Sequence, residues 1–186
     1  VGGYSSPNSS NPIFAINPDG SDVDGFPFIL GEKTKAGVAL SDFNGNGKDD
    51  IVVGSDDDNI YLIYDDATVA PGFPYTTGDK IQAPPSIQEI GGEKVIFSGS
   101  NDDSFYAIKS DGSLLFSVLT GDKVLTSPSF LEENGQLSIF FGSNDDYIYA
   151  VDSEGNSLSG WPIEVNGNIG GSVVFSDLDG DGQAEV

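Results

Sequence analysis

The chain repeats itself. Four segments share one pattern: Ile13–Gly20 (IFAINPDG), Ile60–Asp66 (IYLIYDD), Phe105–Gly112 (FYAIKSDG) and Ile148–Gly155 (IYAVDSEG). Their aromatic second positions, Phe14, Tyr61, Tyr106 and Tyr149, recur at steps of 47, 45 and 43 residues. Ahead of three of them stands a Gly-Ser-acid string, at Gly54–Asn59, Gly99–Ser104 and Gly142–Tyr147. Behind three stands an aromatic–Pro pair, Phe26-Pro27, Phe73-Pro74 and Trp161-Pro162, which the third repeat replaces with Leu114–Val118. A fixed period of this length means that one supersecondary unit is copied and that each copy buries apolar surface against the next.

Each copy reads as four short strands. In the second they are expected at Ala36–Asp42, Asp50–Gly54, Asn59–Tyr64 and Phe73–Thr77, runs rich in Val, Ile, Tyr and Phe between Gly, Asp, Asn and Pro. No 3.6-residue apolar period with caps is present, so helix should be minimal. Ile60 to Tyr64 is apolar on both faces of the pleat, which requires packing partners on both sides. Four-stranded antiparallel units stacked radially supply them. The expected fold class is therefore all-β, a β-propeller of four-stranded antiparallel blades. A pair of β-sandwiches would explain the strand count but not the repeat. All 186 residues read as one domain, with repeats near 1–31 plus 168–186, 32–78, 79–121 and 122–167.

The first of these repeats is split. Strands near Pro12–Asn17 and Phe26–Leu30 supply its third and fourth strands, and Gly171–Asp177 and Ala184–Val186 its first and the start of its second. Joining QAEV to VGGY mirrors Asp49–Asp56 (DIVVGSD after Asp49), so the fourth blade is expected to be assembled from both chain ends. A closed four-bladed ring, half of an eight-bladed ring, a slice of a longer propeller and a polymer built by strand addition all satisfy this pattern. Closure within the chain is favoured because it costs only loop entropy.

Composition narrows the chemistry. Seven basic residues, all Lys, stand against 30 Asp and Glu, a net charge of −23. Such a field repels nucleic acid and anionic lipid and attracts cations. With no Cys and no His, thiol catalysis, imidazole triads and the usual zinc, copper and iron sites are excluded. No run of about 18 apolar residues is present to insert in a membrane. The chain contains no Met and no basic leader, so any signal peptide is expected either to have been removed already or never to have been part of this sequence.

Two loops between first and second strands carry the strongest chemical signal. One holds Asp42, Asn44, Asn46, Lys48 and Asp50, the other Asp177, Asp179, Asp181, Gln183 and Glu185. Oxygen-bearing side chains stand at loop positions 1, 3, 5 and 9, Gly at 4 and 6, and the carbonyl of position 7 (Lys48 or Gln183) can also turn inward. Five or six hard oxygen donors suit Ca²⁺ rather than a softer metal, so two calcium sites are expected. The second, with four carboxylates against two, should bind more tightly. The third and fourth repeats carry only Gln88–Glu93 and Glu132–Gln136 there, which read as plain hairpin turns.

SDFNGNGKDDIVVGS and SDLDGDGQAEV resemble the calcium loops of FG-GAP/VCBS-type propeller repeats, as in the integrin alpha-chain head. GSNDDSFYAIKSDGS and GSNDDYIYAVDSEGN are similar to quinoprotein-like blades. The resemblance covers essentially the whole chain and implies a propeller with structural calcium between first and second strands. It implies no single activity, and with one Trp and no Cys or Arg the quinoprotein activity is not carried over.

The remaining motifs have plainer readings. Asp56–Asp58, Asp102–Asp103 and Asp145–Asp146 should lie on the face opposite the calcium loops, as turn residues bonding their own backbone or as an acidic rim for cations or a basic partner. The Gly-Phe-Pro and Gly-Trp-Pro aromatics should pack between blades rather than stack on sugars. Asn8-Ser9-Ser10 matches a glycosylation sequon. The expected function is a non-catalytic, extracellular or cell-surface, calcium-binding propeller serving adhesion, scaffolding or self-assembly, with calcium, another copy, a protein or a glycan as partner. The alternative is a carbohydrate-binding or carbohydrate-active module. A glycosidase needs two carboxylates across a cleft, but this chain has no Arg or His to balance an anionic sugar. The acidity also suits a salty habitat.

Overall fold

The computed structural model describes residues 11–180 and 184–185. Among them there is no helix, and the ordered backbone is antiparallel β-sheet. Strands β3 (Ala39–Ser41), β4 (Asp50–Gly54), β5 (Asn59–Ile63) and β6 (Tyr75–Thr76) form one four-stranded meander. A second runs β7 (Ser86–Ile90), β8 (Glu93–Gly99), β9 (Ser104–Lys109) and β10 (Leu114–Leu119). A third runs β11 (Ser129–Glu133), β12 (Gln136–Gly142), β13 (Tyr147–Asp152) and β14 (Ile163–Glu164). Before them, β1 (Asn11–Ile13) and β2 (Phe28–Leu30) pair as a two-stranded sheet. The expected four strands of the second repeat are all present, and strands also form near the expected Pro12–Asn17 and Phe26–Leu30 segments, confined to Asn11–Ile13 and Phe28–Leu30. The sequence overextended the first and fourth strands of the second repeat, where pairing is confined to Ala39–Ser41 and Tyr75–Thr76.

The core explains why the strands fail to alternate. Ile51 and Val53 of β4 join Ile13, Phe26, Leu30 and Ile63 in a cluster facing β1–β2. Val52, between them, points the other way, into a cluster with Leu62, Ile96 and Ile108 of the next sheet. Successive side chains on a strand leave opposite faces, so a sheet packed on both sides must be apolar at every position, and all of β4 is buried. The next interface packs Val95, Phe97 and Phe105 against Ile139, Phe141 and Val151. The Phe105 and Phe141 rings stack there at 4.0 Å between centroids.

Close approach sets the Gly of each Gly-Ser string. A Cβ on Gly54, Gly99 or Gly142 would run into Ile81, the Val124 backbone oxygen or Ile169, each in the loop that leads to the next sheet. The aromatic–Pro pairs pack as expected: Phe26 is buried, Phe73 lies against the Val52 cluster, and Trp161 meets Phe140 edge to face at 5.3 Å.

The split repeat departs from expectation. No strand forms over Gly171–Asp177; that segment contributes only the isolated bridge Ser176↔Glu185. It docks on the third meander through Phe175, whose ring is 5.0 Å from Phe140, and through the Val173 carbonyl, which accepts from Ser129 Oγ at 2.6 Å. Among the described residues no ladder joins this segment to β1. Val1–Tyr4, Asn8 and Val186 lie outside the described residues.

Candidate metal sites

The two long loops are closed at the base by equivalent antiparallel pairs. In the first, β3 pairs with β4 through Ser41↔Asp50. Ser176↔Glu185 repeats that pairing at the same offset, with Ser176 N–H donating to the Glu185 carbonyl at 3.2 Å and Glu185 N–H to the Ser176 carbonyl at 2.9 Å. The ninth loop position of the second loop is thus held by a single antiparallel bridge.

That loop gathers acid. Ligand oxygens of Asp177, Asp179 and Glu185 all lie within 4.8 Å of one another. Leu178 N–H donates to Glu185 Oε2 at 2.5 Å and Gly180 N–H to Asp177 Oδ1 at 2.6 Å. Ca²⁺ takes oxygens at about 2.3–2.6 Å, so donors on opposite sides of one ion stand about 5 Å apart. The span of the three carboxylates matches that shell, and the residues fit a hard divalent ion. Asp181 and Gln183 lie outside the described residues.

The first loop is organised differently. Asp42 Oδ1 accepts from the backbone N–H groups of Gly45 at 2.7 Å and Asn46 at 3.2 Å, and Oδ2 from Gly47 at 2.8 Å. These bonds, Gly47's first, hold the Asp42 carboxyl below its ordinary range against the opposing effect of desolvation. Asn44 Oδ1 accepts from Asn46 N–H, and Asn46 Oδ1 from Lys48 N–H. Asp50 is fully buried; it accepts from Phe43 N–H at 2.8 Å, Asp65 N–H at 3.0 Å and Asn44 Nδ2 at 3.4 Å. A carboxylate offers about four acceptor positions. Asp42 accepts three bonds from the loop itself, and Asp50 accepts two from the loop and one from Asp65, so each already uses three of those positions.

Two residues at this site carry no signal in the loop motif. Asp65, in the turn after β5, accepts from Asn46 Nδ2 at 2.7 Å and pairs with Lys48 Nζ at 2.7 Å. The Lys48 bond lowers the Asp65 pKa and raises that of Lys48. Lys94, on β8 of the next sheet, donates to the Asp42 carbonyl and lies 5.7 Å from the Phe43 ring centroid. The doubled acid in IYLIYDD was the available hint for Asp65. Lys94 was invisible, because the contact spans 52 residues.

The shorter equivalents are plain turns, as expected. Gly91 and Gly92 have φ of 61° and 83°, and Asn134 and Gly135 have 53° and 75°, the paired positive values of two-residue hairpin connections.

The acidic hairpins lie at the opposite end of the sheets and do more than cap their own turns. Asp102 Oδ1 accepts from Ser104 N–H at 3.1 Å and Asp145 Oδ1 from Tyr147 N–H at 3.1 Å. Their second oxygens each accept a tyrosine hydroxyl four residues on, Tyr106 at 2.7 Å and Tyr149 at 2.6 Å, and an N–H of the preceding loop, Gly78 or Gly121, at 2.6 Å. Tyr61 repeats the hydroxyl bond to Asp57 at 2.7 Å. Asp56 is buried beneath Lys33 and Lys35, whose ammonium groups stand 3.9 and 3.7 Å from Oδ2, and takes the Gln82 amide at 2.7 Å.

No family model matches the chain, and no curated protein does. Solved structures do match. The computationally designed Ika8 protein aligns over 86% of this chain and 45% of its own, with a TM-score of 0.64 at 14% identity. BBS1N, solved in complex with ARL6DN, aligns over 86% and 48% with a TM-score of 0.59 at 13% identity. BamB from Moraxella catarrhalis aligns over 74% and 39% with a TM-score of 0.53 at 14% identity. The chain spans less than half the length of these three structures. The fold they share with it is the β-propeller.

Proposed function

We propose that this chain is a calcium-stabilised propeller scaffold that works outside the cell, in adhesion or assembly rather than catalysis. One observation carries the reading: the convergence of Asp177, Asp179 and Glu185 within 4.8 Å, on a loop whose pairing register repeats that of Ser41 and Asp50. Like charges held that close destabilise one another without a cation between them. Asp177, Asp179, Glu185 and, from the sequence pattern, Asp181 and the Gln183 carbonyl would hold the ion. Asp42, Asn44, Asn46, Asp50 and the Lys48 carbonyl would form a weaker second site. Bound calcium would supply countercharge and tie the loop to its sheet.

The same reading makes β1–β2 and the segment from Val173 to Glu185 two halves of one further blade, joined within the chain or across two copies. Likeness to FG-GAP/VCBS repeats supports both parts, and the absence of His, Cys and Arg argues against catalysis. Calorimetry at constant ionic strength tests the calcium reading. Chelation should lower the melting temperature and calcium restore it. Recovery with added NaCl alone would overturn it.

A further inference from the structure

We infer that the cleft between the second and third meanders binds a linear aliphatic polyamine. The cleft has a volume of about 540 Å³ and opens beside the β7–β8 and β11–β12 hairpins. That is within the roughly 300–1,000 Å³ of small-ligand sites.

Register identifies what it presents. Glu132 pairs with Leu137 on β11–β12, two pairs beyond Phe130 and Ile139 and so on the same face of the sheet, the face that packs on the second meander. Across the gap Ile90 packs on the same cluster, and Gln88 stands opposite the buried Val95. The end of β13 adds Asp152, and the segment after it adds Glu154 and Leu158. Among the described residues neither a lysine nor an aromatic ring lines the cleft. Carboxylates over aliphatic walls match an ammonium chain, whose methylenes need apolar contact and whose charged groups need acceptors. A sugar would look for an aromatic platform that is missing.

The neighbouring groove shows what is absent. On β7–β8 the corresponding cross-strand pair is Glu89 and Lys94, and Lys94 reaches across to the Asp42 carbonyl and the Phe43 ring. The third meander has Leu137 where Lys94 stands, and its partner Glu132 enters none of the ion pairs among the described residues. One interface carries its own ammonium; the other keeps the carboxylate and leaves space for an ammonium from outside. The Asp152 carboxyl is held anionic: burial raises its pKa, but bonds from Asn156 and Glu154 outweigh that and lower it.

Titration calorimetry with spermidine, on the full chain with calcium saturating, tests the inference. One equivalent should bind. The double variant Glu132→Gln/Glu154→Gln should weaken binding about tenfold or more, and Leu137→Lys, which restores the internal ammonium, should abolish it. Glu32→Gln/Glu164→Gln removes the same charge from exposed sites elsewhere and should leave affinity unchanged. Circular dichroism reports whether each variant folds. No saturable binding, or equal loss in both charge-removing pairs, would overturn the inference. Tighter binding of a lysine-rich peptide with the same dependence on the cleft would overturn the polyamine assignment.

Discussion

Asp102 Oδ2 accepts a hydrogen bond from Gly78 N–H, 2.6 Å away in the loop that leaves the preceding sheet. The same oxygen takes the hydroxyl of Tyr106, so one carboxylate ties a strand, its hairpin and the neighbouring blade together. Asp145 repeats the arrangement with Gly121 and Tyr149. A charged acceptor with two short donors is stronger than a neutral pair, which makes this ladder a principal polar link between blades.

Replacing Tyr106 with Phe removes a donor and keeps the ring. The expected loss is about 1–3 kcal/mol, because a partly buried charged acceptor loses one of its partners. Urea unfolding of Tyr106→Phe checks it. A midpoint unchanged from the parent would show that Gly78 alone satisfies Asp102.

The ladder predicts stability bounded on both sides in pH. Burial raises the Asp145 pKa, but bonds from Tyr149, Gly121, Ser143 and Tyr147 outweigh it and bring the folded value below 3.8. Its contribution is complete above the unfolded value and is lost as pH falls below it, through the folded one. Burial and then the bond to Asp57 push Tyr61 up to about 12, and Tyr106 and Tyr149 move the same way. Their contribution is complete below the unfolded tyrosine pKa of about 10 and is lost as pH rises through the folded value. Melting temperature against pH should fall at both extremes. Tyr149→Phe should flatten the alkaline limb.

Gly99→Ala tests the close approach of adjacent units. The new methyl meets the Val124 backbone oxygen and side chain, so the loop must move, at a cost of about 1–3 kcal/mol. A variant that melts with the parent would show that the loop yields freely.

Asn46→Asp separates the two states of the first loop. Its amide now donates to Asp65 at 2.7 Å, and a carboxylate there would face that acid instead. Melting temperature should fall in chelator, while the gain on adding calcium should grow, since added ligand charge strengthens calcium sites. Calorimetry with and without calcium reads both shifts. An equal change in the two conditions would argue against an ion at this loop.

Much of the architecture was legible because a repeat reports its own period. Tyr61, Tyr106 and Tyr149 marked the third strand of each complete unit, and the unbroken apolar run of β5 announced burial on two faces. The paired positive-φ turns at Gly91-Gly92 and Asn134-Gly135 were equally local. Gly171–Asp177 was the failure: its residues suit a strand, but a strand needs a neighbour, and among the described residues its pairing is limited to Ser176 and Glu185.

Amino-acid order alone determined what each unit would be: four short strands, hairpins with their turn residues, and two acidic loops at equivalent points. Those depend on neighbours a few residues apart. Only the tertiary arrangement decided what the units do to each other. Lys94 reaches Asp42 across 52 positions, and Gly78 reaches Asp102 across 24. Such bonds follow from how sheets stack, which places residues of distant number within a hydrogen bond's reach.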